Sequence, residues 1–400
     1  MQLKPRGKVS QALAAATCSL LSVNAQAVDS DTSWDMTHLH YAEKGRVSVA
    51  EQVVAMEKIY TDEDRFKLKL YHDSITGATP NGGGAFANTF TSASGGSYYS
   101  DGSGDALALI QDERIAVSAE WVEQTSRLEK RNYSLSYSNE LDYDSVGASL
   151  TYDSESKDRM RSYNWGGSIN YDVVRAQGGI PTGLAASTDM TRTAQENSVV
   201  VDLIAGMTQV LNRKTLLQFN YTLGLSNGYL TDPYKYISVI GGTVPLQYER
   251  RPSSRLGHSF YTRAIYNHKK NVAKASYRLY VDDWGVFSHT IDMRYRYKLK
   301  GRWHWQPHVR YYSQSAADFY SYAFYREGSD AGFPVSSDAS SDYRLGNLTT
   351  LTAGVQFGRK VSRNSEFAMR IEHINQSDRL GEFQSVNALV AQISFTYKYQ

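Results

Sequence analysis

Apolar and polar residues alternate one by one from about residue 33 to the end of this chain, and that pattern most limits its fold. In the last segment Leu389, Ala391, Ile393, Phe395, Tyr397 and Tyr399 alternate with Val390, Gln392, Ser394, Thr396 and Lys398. Successive side chains of an extended strand point to opposite faces, so this is a strand with one apolar and one mostly polar side. The same period returns around Tyr163 to Tyr171, Leu217 to Leu225, Ala273 to Val281 and Ile291 to Tyr297. No helical period competes with it. No run reaches the roughly 18 apolar residues of a membrane-spanning helix, which excludes a helical membrane protein. A mean hydropathy of -0.48 fits a soluble protein, and fits equally a transmembrane barrel whose strands are only half apolar.

Three features favour the barrel over a soluble sandwich. The alternating segments run about 9–13 residues, where ordinary strands average about 5–6. Tyrosine and tryptophan gather near their ends, as interfacial girdles require. The connections also alternate in length. Short ones fall near 61–64, 125–129, 154–158, 211–214, 267–270, 298–302 and 360–365, and between them lie longer ones at 73–113, 172–195, 227–254 and 315–343. Short inner turns and long external loops are the asymmetry of an outer-membrane barrel.

Fifteen strands are predicted at 53–60, 65–73, 114–123, 130–140, 146–153, 160–172, 198–210, 215–226, 255–266, 271–282, 289–298, 302–313, 348–358, 366–375 and 386–399. Both ends of the chain must lie on the inner side, so parity asks for one more strand. Residues 33–42 supply it, with a turn at 43–45. The expected fold is an all-β transmembrane antiparallel barrel of about 16 strands, with 14 the next possibility. Pro307 interrupts a strand and is expected to mark a bulge or local bend, since proline gives up a ladder hydrogen bond.

The first 27 residues read as a secretory signal. Lys4, Arg6 and Lys8 precede an apolar stretch from about Ala12 to Val23, and Ala25-Gln26-Ala27 ends it with cleavage expected after Ala27. Residues 28–400 are then the barrel domain. Losing the signal removes three of 43 basic groups and none of 41 acidic ones, taking the formal charge from +2 to -1. That balance argues against a nucleic-acid partner. The single cysteine, Cys18, leaves with the signal. The remainder has no disulfides, thiolate metal sites, iron–sulfur ligands or cysteine nucleophile.

Longer strings are more specific than alternation. Among them are Asp73-Ser-Ile-Thr-Gly-Ala-Thr-Pro-Asn-Gly82, Thr215-Leu-Leu-Gln-Phe-Asn-Tyr221, Gly228-Tyr-Leu-Thr-Asp-Pro-Tyr234, Glu249-Arg-Arg-Pro-Ser-Ser-Arg255, Tyr280-Val-Asp-Asp-Trp-Gly285 with Ser288-His-Thr290, and Tyr311-Tyr-Ser-Gln-Ser-Ala-Ala-Asp-Phe-Tyr320. Together they resemble a family of uncharacterised bacterial proteins regarded as outer-membrane β-barrels. The resemblance covers nearly all of the chain after the signal. It implies the fold and the outer membrane, and brings no substrate or catalytic residue.

Candidate functional residues fall in two groups. On the inward face of segment 271–313, Lys274, Arg278, Arg294, Arg296, His308 and Arg310 stand against Asp282 and Asp292. Such a stripe steers anions, unless Asp202, Glu120, Glu140 and Glu372 on other strands neutralise it. Near the external loops, Asp232, Arg250, Arg251, Arg255, Asp283 and Asp318, with Asp282, predict an ion-pair network that fixes the loops over the mouth, or a ligand site there.

Other chemistry is weaker. Ser288 and His289 have the residue types for acyl hydrolysis, but neighbours on a strand face opposite ways. His38 and His40 share a face, as do His304 and His308, and structural roles are favoured over a metal for both pairs. The Gly/Ser-rich stretch 81–105 lacks the spacing of a calcium loop. No metal or cofactor is expected. The expected partners are outer-membrane lipid, the barrel-assembly machinery acting on the last strand, and a small solute or partner protein. The first function expected is a porin-like channel or transporter for small polar or anionic solutes. The second is a non-conducting scaffold or receptor, and the third a barrel hydrolase.

Overall fold

The computed structural model describes residues 32–399 except 61–63, 81–88, 92–96, 100–106, 245, 329–331, 333–334, 336 and 380–384. The expected signal over 1–27 and most of the Gly/Ser-rich stretch lie outside the described residues. Sixteen antiparallel strands form the closed barrel. They are β1 (Thr32–Glu43), β2 (Val47–Ile59), β3 (Arg65–Pro80), β4 (Leu107–Ser126), β5 (Glu129–Asn139), β6 (Tyr143–Glu155), β7 (Arg161–Val174) and β8 (Glu196–Asn212), followed by β9 (Thr215–Gly228), β10 (Ser254–His268), β11 (Asn271–Asp282), β12 (Phe287–Lys298), β13 (Trp303–Gln314), β14 (Leu348–Lys360), β15 (Ser365–Asp378) and β16 (Val386–Tyr399). Each pairs with its sequence neighbours. The ring closes where β1 meets β16, from Thr32 opposite Tyr399 to Glu43 opposite Ala388. The strand supplied by parity is therefore β1, and it supplies half of the closing seam.

Connections at one end span two to five residues. Those at the other reach residues 81–106, 175–195, 229–253 and 315–347, and this is called the outer end. The strands β3 and β4 run further out than expected, pairing from Arg65–Val122 to Pro80–Leu107. Their outer parts, Asp73-Ser-Ile-Thr-Gly and its partner, show little one-sided apolar pattern, so alternation could not reveal them. Pro307 makes no bulge. On β12 the register is the same on both sides of it, Arg294 with His308 and Tyr297 with Trp305. The ladder is interrupted without a shift, and Pro307 still stands opposite Val355 of β14. The register shifts instead lie between Gln124 and Ser126 and between Val210 and Asn212, next to inner turns.

Large apolar side chains such as Leu135, Ile169, Leu203, Phe219, Ile291 and Ile393 stand exposed on the outward face. Trp121, Trp165, Trp303 and Tyr397 are near the inner ends and Tyr137, Tyr171 and Tyr311 near the outer ends. These bands frame an apolar wall of the kind that faces lipid. No described helix is long and apolar enough to cross a membrane. Closure matters because hydrocarbon offers backbone groups no partners, so the neighbouring strands must supply them all. Ile393 sits midway along β16 on the outward face. Ile393→Arg is expected to cost about 2–4 kcal/mol, measured as a shift in urea unfolding of the barrel folded into lipid vesicles.

Candidate functional site

Register decides which side chains share the lumen. Lys274 is opposite Arg294, Ser276 opposite Asp292 and Arg278 opposite Thr290. Across the next pair Arg294 meets His308, Asp292 meets Arg310 and Thr290 meets Tyr312. All eight residues expected on the inward stripe do face inward, with Asp282 at the outer rim. Arg263 of β10 joins them, paired with Ser276. Inward parity along 255–266 placed Arg263 on this face in the sequence, but β10 fell outside the segment singled out as basic. A cavity of about 620 Å³ lies against this wall, lined by Arg263, Lys274, Arg278, Arg294 and Arg310 around Asp292.

Neutralisation is uneven. Asp292 is a hub, accepting from His308 Nε2 at 2.7 Å and Arg310 Nε at 2.9 Å, with Arg294 Nε at 3.2 Å. The other ring nitrogen of His308 is 2.6 Å from Glu372. Arg296 pairs with Glu366 at 3.1 Å, an acid that sequence inspection missed. His304 lies beside the same pair, with Nδ1 3.9 Å from Glu366, so the two lumenal histidines serve different carboxylates. Gly354 and Gly358 of β14 leave the space these groups need. A Cβ at Gly354 would lie 2.4 Å from Glu372 Cγ, and one at Gly358 2.1 Å from His304.

Of the four acids considered as counter-charges, only Glu372 touches the stripe. Glu120 binds Lys67 at 3.3 Å, Asp202 stands between Gly224 and Ser168 on the two adjacent strands, and Glu140 sits at the rim. Among the described residues, no carboxylate lies within 4.0 Å of the Arg263, Lys274 or Arg278 side-chain nitrogens. Lys274 even stands directly opposite Arg294, a like-charge pairing that costs stability. The arc from β5 to β7 is different at mid-height, where its inward rows read Ser134, Ser149, Ser168 and Ser136, Gly147, Asn170. The wall directly facing β10 to β13 is β2 to β5, where Glu51, Glu57, Asp73 and Glu120 stand among Lys67, Lys69 and Arg114, so the lumen is basic on one side and mixed in charge on the other.

The rim network forms, but it separates into distinct contacts. Arg251 reaches Glu249 and Asp342 at 2.8 Å each. Arg344 binds Asp342 and, at 2.9 Å, Asp232. Lys235 is buried beside the same acids. Ser340 Oγ donates to Glu249 at 2.5 Å, and the Asp232 amide donates to the same carboxylate at 2.9 Å. Arg255 instead clasps Asp282 and lies 4.4 Å over the Trp284 ring. Arg250 is exposed, 2.9 Å from Asp338. Asp283 accepts from the Leu256 amide at 2.9 Å, and the side chain of exposed Asp318 abuts Gly285. Asp342, Arg344 and Lys235 were missed because their partners are distant in sequence and no local pattern marks them.

Two small apolar cores support this cap. Leu184, Ile237, Val239 and Ala339 form one, and Trp284, Val286, Ala317 and Leu345 the other. Tyr234 Oη donates to Asp142 at 2.5 Å and accepts from the Gln177 amide at 3.0 Å. Gln314, at the top of β13, donates to the carbonyls of Arg344 and Gly346, which turns that loop inward. Contacts therefore join loops from five different hairpins. Asp142 also groups with Asp112 and Glu140, their oxygens within 4.8 Å of one another. Asp112 accepts from the Glu113 amide at 2.8 Å and lies 3.4 Å from that of Leu141, which fits loop fixing.

Burial and the neighbouring Asp232 and Asp342 push the Glu249 carboxyl up to about 6, against the pull of Arg251. Burial acts the same way on Asp342, yet Lys235, Arg344 and Arg251 hold it well below the usual carboxylate range. Burial lowers Lys235. Ser288 is buried and inward, while His289 points outward with Nδ1 2.6 Å from Tyr277 Oη. The two make no catalytic pair.

The fold and these sites define a transmembrane β-barrel with a polar lumen and a cap of outer loops. The chain belongs to the family described as a protein of unknown function, DUF3570, whose model matches residues 10–397. No curated protein matches it. Among solved structures it is similar to the outer membrane protein opdK from Pseudomonas aeruginosa, at 7% identity and a TM-score of 0.45, covering 93% of this chain and 99% of that one. A structure titled as the CymD monoaromatic hydrocarbon channel gives 10%, 0.39, 93% and 88%. A bacterial polysaccharide outer membrane secretin gives 6%, 0.47, 92% and 98%. Similarity this slight decides neither substrate nor mechanism.

Removing the Asp342 carboxylate takes a shared counter-charge from buried Lys235, Arg251 and Arg344. Asp342→Ala is expected to cost the cap about 3–5 kcal/mol, read as faster proteolysis within 315–347 while the barrel stays folded. Glu249 binds its proton more tightly in the cap than in an unfolded chain. Its contribution to stability is present below about pH 4.5 and is lost as pH rises through about 6. Hydrogen exchange of loop amides between pH 4.5 and 6.5 should show that loss, and Glu249→Gln should flatten it.

Proposed function

We propose that this protein is a porin-like channel of the Gram-negative outer membrane that passes small polar solutes and favours anions. A 16-strand barrel leaves room for an aqueous interior unless loops fill it. The observation that carries the reading is the inward trio Arg263, Lys274 and Arg278, cations without a nearby carboxylate among the described residues, beside the partly neutralised Arg294 and Arg310. A one-sign lining in a low-dielectric wall raises the local concentration of counter-ions. The leader at 1–27 would bring the chain across the inner membrane, and β16 would present it to the barrel-assembly machinery.

The packed cap favours one second reading, a non-conducting receptor or scaffold that displays its loops to a partner protein. A hydrolase gains nothing from Ser288 and His289. Planar-bilayer recordings decide between the first two. The channel reading expects steady conductance and a reversal potential on the anion-selective side under a salt gradient. Lys274→Glu with Arg278→Glu should move that potential toward cations by more than Arg296→Glu, because Arg296 already has Glu366. Silence under all ionic conditions would defeat the channel, and unchanged selectivity in the double variant would defeat the basic stripe.

A further inference from the structure

The outward wall changes character over β1 to β3. In its inner half it is apolar, with rows Trp34–Met56–Leu68 and Met36–Val54–Leu70. In the outer half the rows read His38–Gln52–His72, His40–Ala50–Ser74 and Ala42–Ser48–Thr76. These nine positions include no large apolar side chain. At comparable places on other strands the wall carries Leu135, Ile169, Leu203 or Leu225. Counting from Trp34 at the inner end, His38 and His40 lie about 10 and 16 Å higher, for a 3.4 Å rise and a strand tilt near 40°. They fall inside an apolar band about 25 Å tall.

Two of the outward histidines elsewhere are provided for, whereas exposed His373 of β15 makes no side-chain hydrogen bond among the described residues. His258 meets Tyr221 Oη at 2.7 Å and His289 meets Tyr277 Oη at 2.6 Å. In the polar grid only His40 has such a contact, Ser48 Oγ at 3.2 Å. Among the described residues no hydrogen bond is made by the side chain of His38 or Gln52. His72 is only 8% exposed, so its own chain already covers it and the exposed members of the row are His38 and Gln52. Unmet polar groups against hydrocarbon cost several kcal/mol apiece. Lipid chains are therefore a poor neighbour for this sector.

We propose that the outward face of β1 to β3, with β16 and β4 at its margins, is where a second copy of this chain docks about a twofold axis along the membrane normal. Next to such an axis a residue meets its own copy, so one group must serve as donor and acceptor. Imidazole, carboxamide and hydroxyl groups do both. The grid holds no lysine or arginine, which a lipid phosphate would call for. Ala42, Ala50, Ser48 and Ser74 are small enough for two walls to come close, the packing favoured between membrane segments. Below the grid, Met36, Val54 and Met56 extend the contact with apolar surface. Five strands about 4.8 Å apart and about 25 Å tall offer roughly 600 Å² per copy. The total of about 1,200 Å² meets the lower bound for a specific interface.

Cysteine cross-linking in native outer membranes tests this, because beyond Cys18 the chain has no cysteine. Under mild oxidation Gln52→Cys should give a disulfide-linked dimer on non-reducing gels. Phe219→Cys, on the opposite wall, should not. In native mass spectrometry from lipid nanodiscs the unmodified protein should be dimeric. The double variant His38→Leu, Gln52→Leu should be monomeric yet folded, since leucine suits a lipid-facing wall, with heat-modifiable gel migration reporting the fold. Equal cross-linking at both sites overturns the proposal. So do a monomer carrying lipopolysaccharide, a link from residue 52 to a different protein, and a double variant that stays dimeric.

Discussion

Backbone hydrogen bonding in a medium without water is the constraint on which everything else here depends. Every strand must find two neighbours, so a chain that crosses hydrocarbon as sheet has to close, and here closure rests on β1 meeting β16 along twelve residue pairs from Thr32–Tyr399 to Glu43–Ala388. Once the ring is closed, alternation assigns each side chain to lipid or lumen with no further choice. One missing strand would reverse the direction of the chain at its end and leave two open edges. Fold, face and function are therefore set by the same period.

That period made most of the architecture legible. The regular parts of fifteen strands could be read because each has a greasy side, and β1 was supplied by parity. Reading weakened where that side ended. The outer parts of β3 and β4 rise beyond the apolar wall, and there small polar residues look like loop. Pro307 was read through its own chemistry alone, whereas both neighbouring strands hold its register and absorb the loss as a gap in one ladder. The inward residues of the basic stripe followed directly from parity. Their charge balance did not, because partners such as Arg296 and Glu366 come from strands far apart in sequence and meet only through the barrel.

The cap was legible in a different way. Strings such as Glu249-Arg-Arg-Pro-Ser-Ser-Arg255 marked the residues, but not what they bind. Glu249 and Asp342 lie 93 positions apart and share Arg251, and Lys235 is buried between loops whose meeting no local pattern announces. The cluster holds three acids, Asp232, Glu249 and Asp342, and three bases, Lys235, Arg251 and Arg344. Such a group is worth little to stability as a whole, yet is badly damaged by the loss of one member. It specifies one arrangement of the loops more than it strengthens that arrangement.

The uneven lining has one more consequence. With Arg263, Lys274, Arg278, Arg294 and Arg310 on one arc and acids balanced by bases on the facing arc, Glu51, Glu57, Asp73 and Glu120 among Lys67, Lys69 and Arg114, the field in the bore points across it as well as along it. A solute with separated charges would be turned before it is moved, its negative end toward β10 to β13 and its other end toward β2 to β5. Passage would then resemble sliding along one wall more than diffusion down a tube. Two molecules of equal size and net charge could cross at different rates because their dipoles differ.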